Sequence, residues 1–192
     1  MGVQFTAPNA NNHAIGKGVL YVSDFPGAGA ASWVSMGNCP SIEIEQTVER
    51  LDHYSSQAGT KTKDKSAVIQ TDYTINFDCD EISAANLKIF LSADESGTTI
   101  SAMQDTNKEY ALKFVSANPV GPDYVWWFWK CQISSNGAVS LIGDDWMVMS
   151  YTAMGLADTS NHSSSPYFDC IRKTTTSTTT SSSTSSTCST AA

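Results

Sequence analysis

Two segments of strict alternation constrain this chain more than anything else in it. In "IEIEQTVE", Ile42, Ile44 and Val48 alternate with Glu43, Glu45, Thr47 and Glu49. In "AVIQTDYTINFDCD", Ile69, Thr71, Tyr73, Ile75, Phe77 and Cys79 alternate with Gln70, Asp72, Thr74, Asn76 and Asp78. A period of two sends successive side chains to opposite faces, so each segment reads as a strand with one apolar and one polar, acidic face. Like charges two residues apart repel, so an acidic row adds nothing to the stability of a lone subunit. Between the strands lies "DHYSSQAGTKTKDKS", Asp52 to Ser66, with no apolar periodicity and with Lys61, Lys63 and Lys65 close together. It predicts a long loop joining the two strands as an antiparallel hairpin, and loops of that length are usually functional or disordered.

The remaining segments are mostly strand-like. "GVLYVSDF" is a first strand and "PGAGAAS" a flexible turn. "DEISAANLKIFLSADES" predicts one helix, capped by Asp80 or Ser83, with Glu81 suited to its positive end. Leu87, Phe90 and Leu91 form one apolar seam; Ile82, Ala85 and Ile89 form a second. Two seams imply cover from the helix's own sheet and from a neighbour. Then come "KEYALKFVSA", the turn "NPVGPD", and "YVWWFWKCQIS" and "GAVSLIG" around an Asn136–Gly137 hairpin signal. A "GDD" turn, "WMVMSYTAMGLAD" and "SPYFDCI" complete the pattern. About seven strands and one helix predict a mainly β fold, a β-sandwich or barrel with the helix packed on one side, over residues 16–172. Residues 1–15 read as an arm. Residues 173–192 are nearly all Ser and Thr, cannot bury a core, and are expected to be disordered.

Composition excludes several functions. The chain of 192 residues suffices for one domain, and its formal net charge is −8. That charge argues against a grip on nucleic acid or on an anionic membrane. Neither a transmembrane run nor a secretory leader is expected from this sequence. "MGVQFT" fits the loose myristoylation pattern through Gly2 and Thr6, without a supporting polybasic segment. The five cysteines are widely spaced with no C-x-x-C pair, and read as buried hydrophobes in a reducing compartment. His13, His53 and His162 stand apart from any metal-ligand spacing. Asp144 and Asp145 read as turn formers, and no nucleophile elbow, P-loop or dinucleotide fingerprint occurs. No cofactor, metal or catalytic residue is expected, so the chain reads as a non-enzyme. In "VWWFW", Trp126 and Phe128 face one side while Val125, Trp127 and Trp129 face the other. Aromatics on both faces predict a core or interface strand rather than a sugar platform.

In their order, these features resemble the major tail tube proteins of long-tailed bacteriophages. The resemblance rests on "GNCPSIEIEQTVERLDHYSSQAGTKTKDK", "QTDYTINFDCDEISAANLKIFL" and "WKCQISSNGAVSLIGDDWMVMSYTAMGLAD", and covers most of Gly16 to Ile171. It implies a non-enzymatic virion protein, made in the host cytoplasm, whose hexameric rings stack into a tube through which viral DNA passes. Its partners would be itself, the DNA, and other tail proteins such as the tape measure and terminator, with no membrane. Glu43, Glu45, Thr47, Gln70, Asp72, Thr74, Asn76 and Asp78 would line the lumen, with Glu49 already leaving the barrel for the loop. Asp52, His53, Tyr54, Gln57, Lys61, Lys63 and Lys65 would form an inter-ring loop, its lysines seeking acidic surface on the next ring. Leu87, Phe90, Leu91, Trp126, Trp127 and Trp129 would lie in the core or a subunit interface. The Ser/Thr tail and "VWWFW" have no counterpart in that pattern. Two other readings stay open: a secreted carbohydrate-binding module with a Ser/Thr linker, and another head–tail or capsid-associated virion protein.

Overall fold

The structure, a computed structural model, describes residues 7–25, 33–57 and 59–173. The turn expected at "PGAGAAS", the myristoylation pattern and nearly all of the Ser/Thr tail lie outside these residues.

The alternating segments form strands, as their period requires. In chain order these are β1 (Gly18–Asp24), β2 (Val34–Ser35), β3 (Ser41–Ser55), β4 (Thr62–Cys79), helix α1 (Ala84–Phe90), β5 (Asp94–Ser96), β6 (Thr99–Ser101), β7 (Glu109–Ser116), β8 (Tyr124–Ser135), β9 (Met149–Gly155) and β10 (Phe168–Arg172). The main sheet runs β2-β1-β7-β8-β9-β4-β3, and β5 pairs separately with β6. Every pairing is antiparallel. One edge of β8 is shared end to end: β10 takes Tyr124–Phe128 and β9 takes Cys131–Ser135. The architecture is mainly β, of sandwich or barrel type, with one packed helix.

The core lies on one side of the sheet. Leu20, Val22, Ile75, Phe77, Leu112, Phe128, Ile133, Met149, Tyr151 and Ala153 are buried there, with Ile89 and Phe90 of α1 laid over them. Phe77 and Tyr151, cross-strand partners, stack at 4.9 Å, and Phe90 meets Tyr151 edge-on at 5.6 Å. Tyr73 reaches past the end of β9 to stack on Phe128 of β8 at 5.8 Å. A Cβ on Gly155 would collide with the Tyr73 ring, so glycine is required where β9 stops. Residues from both flanks of the sheet, Gly18 and Phe114 on one and Ile42 and Ile44 on the other, line a single groove. The sheet therefore curls toward closure.

Several expectations need correction. The long loop is mostly strand: β3 runs to Ser55 and β4 begins at Thr62, leaving residues 56–61 as the connection. A strand solvated on both faces carries no apolar alternation, so periodicity did not reveal it. "GAVSLIG" is no strand; residues 136–148 form an irregular excursion before β9. Leu141 and Ile142 there are 79% and 94% exposed. The first expected seam packs on the core through Leu87, Phe90 and Leu91, with Asn86 and Ile89 also inward, but the second seam does not hold. Leu87 and Leu91 are half-buried, and Ile82 and Ala85 are exposed. Ser83, not Asp80, is the cap, accepting a hydrogen bond from the Asn86 amide at 3.1 Å.

Candidate functional site

The polar residues of β3 and β4 meet as direct cross-strand partners. Ser41 opposes Asp78, Glu43 opposes Asn76, Glu45 opposes Thr74, and Thr47 opposes Asp72. Direct partners share a face. All eight residues expected on the acidic wall therefore lie on one side of the hairpin, opposite the core. Glu49 shares their face, paired with Gln70, and lies in the part of the hairpin that β9 no longer flanks. The register slips only beyond it, between Glu49 and Arg50 and again between His53 and Tyr54.

The face does not end at the hairpin. Across β4 and β9, Asp78 opposes Ser150, Asn76 opposes Thr152, and Thr74 opposes Met154. Across β9 and β8, Thr152 opposes Ser134 and Met154 opposes Gln132, which in turn opposes Glu109 of β7. The Thr152 hydroxyl donates to Asn76 Oδ1 at 2.9 Å, knitting two of these rows. Lys130 Nζ pairs with Glu109 at 3.0 Å. The continuous face thus carries Glu43, Glu45, Glu49, Asp72 and Asp78 among hydroxyls and amides. The β8 and β9 members were missed at the sequence level. Their signal was present in "MSYTAMG", where Ser150 and Thr152 alternate with the buried Met149, Tyr151 and Ala153.

Beyond Thr74 the hairpin loses its other neighbour, because β9 pairs with β4 only over Thr74–Cys79. The outer hairpin is a two-stranded arm with nearly every residue exposed. Leu51 and Ile69 are 64% and 56% exposed, and Val48, Tyr54 and Val68 are also open to solvent. The residues expected in an inter-ring loop are largely strand residues of this arm: Asp52, His53 and Tyr54 in β3, Lys63 and Lys65 in β4. Only Gln57 and Lys61 lie in the connection. Lys63 is already paired within the arm, to Asp52 at 2.7 Å, and His53 Nδ1 meets Asp64 at 2.6 Å. Hydrogen bonds from Lys63 and Ser66 hold the Asp52 carboxyl below its ordinary pKa. Among the described residues neither Lys61 nor Lys65 makes an ion pair.

The side chains of the aromatic strand pack mostly against the chain itself, while Trp129 Nε1 is buried without a hydrogen-bond partner among the described residues. Trp126 stacks toward Phe128 and Phe168, on the core side. On the other face Trp127 stacks on Trp129 at 6.0 Å, meets Trp33 edge-on, and carries Lys113 Nζ 4.4 Å above its ring. The His162 ring lies flat against Trp129 at 3.6 Å. These tryptophans are covered by the chain's own side chains and offer no bare platform.

No group of His, Cys, Asp and Glu among the described residues could hold a metal ion, and none of the described helices is long and apolar enough to cross a membrane. Residues 13–99 match the profile of a family described as a protein of unknown function, UCP028589. That stretch takes in β1 through α1, and so the whole hairpin. No curated protein matches the chain.

Proposed function

We propose that the chain is a self-assembling structural subunit of the tail tube type, whose rings form a conduit for DNA. The observation that carries this reading is the polar face that is acidic on β3 and β4 and is continued by Ser150, Thr152, Ser134 and Gln132 on β9 and β8. It ends at β3, a fifteen-residue strand whose far edge is unpaired among the described residues. An open edge of that length is a template for another chain, and ring closure is one way of removing it. Copies joined edge to edge would continue the face from subunit to subunit. Carboxylates repel phosphate, and at ~0.1 M salt their field decays over roughly 10 Å. Such a wall keeps DNA mobile where basic residues would trap it by counterion release.

The apolar exposure fits the same reading. An isolated two-stranded hairpin is marginal in water, and this arm leaves Val48, Leu51, Val68 and Ile69 uncovered. The excursion before β9 exposes Ile142 and Trp146 almost completely. Heterologous contacts that repeat along an axis generate an open filament, as stacked rings require. Microscopy of the purified full-length protein is the test. Uniform hollow filaments or rings, with Glu43, Glu45 and Asp72 facing the bore, are expected. A species that stays monomeric at high concentration, or an assembly with those side chains outermost, would overturn the reading.

A further inference from the structure

The root of the hairpin contains a feature that assembly does not use. Cys39 lies two residues before β3 and Cys79 ends β4. Their sulfur atoms lie 3.2 Å apart. A disulfide needs about 2 Å between sulfurs, so roughly 1 Å of closure separates the pair from a bond. The two thiols are not equivalent. Cys79 is fully buried, whereas Cys39 is half-buried and lines an open groove of about 550 Å3 with Gly16, Lys17, Pro40 and Ile42. The hydrogen bond from Cys79 holds Cys39 below the ordinary thiol pKa, against burial and the carboxylates of Asp80, Glu81 and Asp78. The same bond and burial push Cys79 upward. The accessible sulfur is thus the more nucleophilic and the buried one its reserve of protonated thiol. Cys131 differs, being buried and directed to the Tyr110 carbonyl at 3.3 Å.

We infer that Cys39 and Cys79 are a modification site: an oxidisable pair that closes to an intramolecular disulfide when the folded chain meets a small-molecule disulfide such as oxidised glutathione. The Cys39 thiolate attacks one sulfur of the reagent, forming a mixed disulfide and expelling one glutathione thiolate. The Cys79 sulfur attacks the Cys39 sulfur, its proton passing to the second glutathione thiolate as that group is expelled. The two cysteines together lose two electrons and two protons; the reagent is reduced to two thiols. In a reducing compartment the dithiol persists, and outside it the disulfide forms. The bond fastens the chain at the point where the arm leaves the sheet and closes a loop holding all of β3 and β4. Constraining that loop in the unfolded chain raises Tm by roughly 10 °C. The inference holds whether or not the chain builds a tube.

The test is incubation of folded full-length protein with oxidised glutathione, alkylation of remaining thiols, and peptide mapping by mass. A Cys39–Cys79 linked peptide, lighter by two hydrogens, is expected, with a higher Tm that a thiol reductant reverses. Cys79→Ser should stop at a stable glutathione adduct on Cys39. Should that variant not fold, Cys39→Ser should leave Cys79 unmodified in the folded protein. The inference is overturned if wild type keeps both thiols free, retains glutathione on Cys39, or links either cysteine to Cys170 or Cys188 instead.

Discussion

Asn86 shows how much one buried polar side chain can organise. Its Nδ2 donates to the carbonyls of Met36 and Glu81, both at 2.9 Å, and the Tyr151 hydroxyl donates to its main-chain oxygen at 2.9 Å. One residue thereby ties α1 to β9 and to the segment leading into β3. Replacing it leaves the buried Met36 carbonyl without this donor, so Asn86→Ala should cost about 2 kcal/mol or more, read from the urea midpoint. Ser83→Ala, which removes only the cap, should cost about 1 kcal/mol in the same measurement. Asp123 gives a pH dependence. The Asn118 amide donates to it at 2.7 Å and holds its carboxyl below the ordinary 3.8 against desolvation; the Ser116 hydroxyl, at 3.1 Å, helps. Because the folded value is depressed, ionised Asp123 contributes stability that is present above about pH 4 and lost as pH falls from there through the lower folded value. Thermal melts of wild type and Asp123→Asn should therefore differ most near neutrality and converge toward pH 2.

At the scale of elements, sequence and structure agree where burial creates a pattern. β1, β7, β8 and the inner half of β4 were legible because each has one face in the core, as with Tyr73, Ile75, Phe77 and Cys79, and the inner half of β3 touches it through the half-buried Ile42. The outer hairpin was illegible for the opposite reason. Residues such as His53, Lys63 and Lys65 meet water on both sides, and a ladder of backbone hydrogen bonds imposes no side-chain period. "GAVSLIG" misled because apolar residues imply burial somewhere, and within this chain Leu141 and Ile142 are not buried. The shared acidic face was readable from the period of two, while its extension onto β9 and β8 required knowing which strands are neighbours. Solvation on both faces also makes the arm the least protected part of the sheet. Amide exchange in dilute subunits should be fast from Val48 to Thr71 and slow in β7 and β8. On assembly the arm should gain protection of at least tenfold. Equal exchange in both states would mean that the arm contacts nothing in the assembly.

At the scale of the whole molecule, the decisive property is the sign of the charge on one face. The formal net charge is −8, and Glu43, Glu45 and Asp72 place three carboxylates on paired strands with no cation directly opposite: their partners are Asn76, Thr74 and Thr47. Reversing these three to lysine touches no core residue, since all three side chains are exposed, so folding should change by less than about 1 kcal/mol. The effect on DNA should be large. If the face lines a closed channel, six copies would surround the duplex with a basic ring, and each phosphate neutralised would add about 0.9 to the slope of log K against log salt. Wild-type assemblies should show no measurable retention of short duplex DNA. The triple variant should retain it tightly at 50 mM salt and release it as salt rises. Reversing the same number of acidic residues elsewhere, at Asp94, Glu95 and Asp144, separates a lumen effect from net charge alone. A channel requires retention in the first variant and little in the second. Equal retention in both would mean that the acidic face has no privileged contact with the duplex, and the conduit reading would fail even if tubes form.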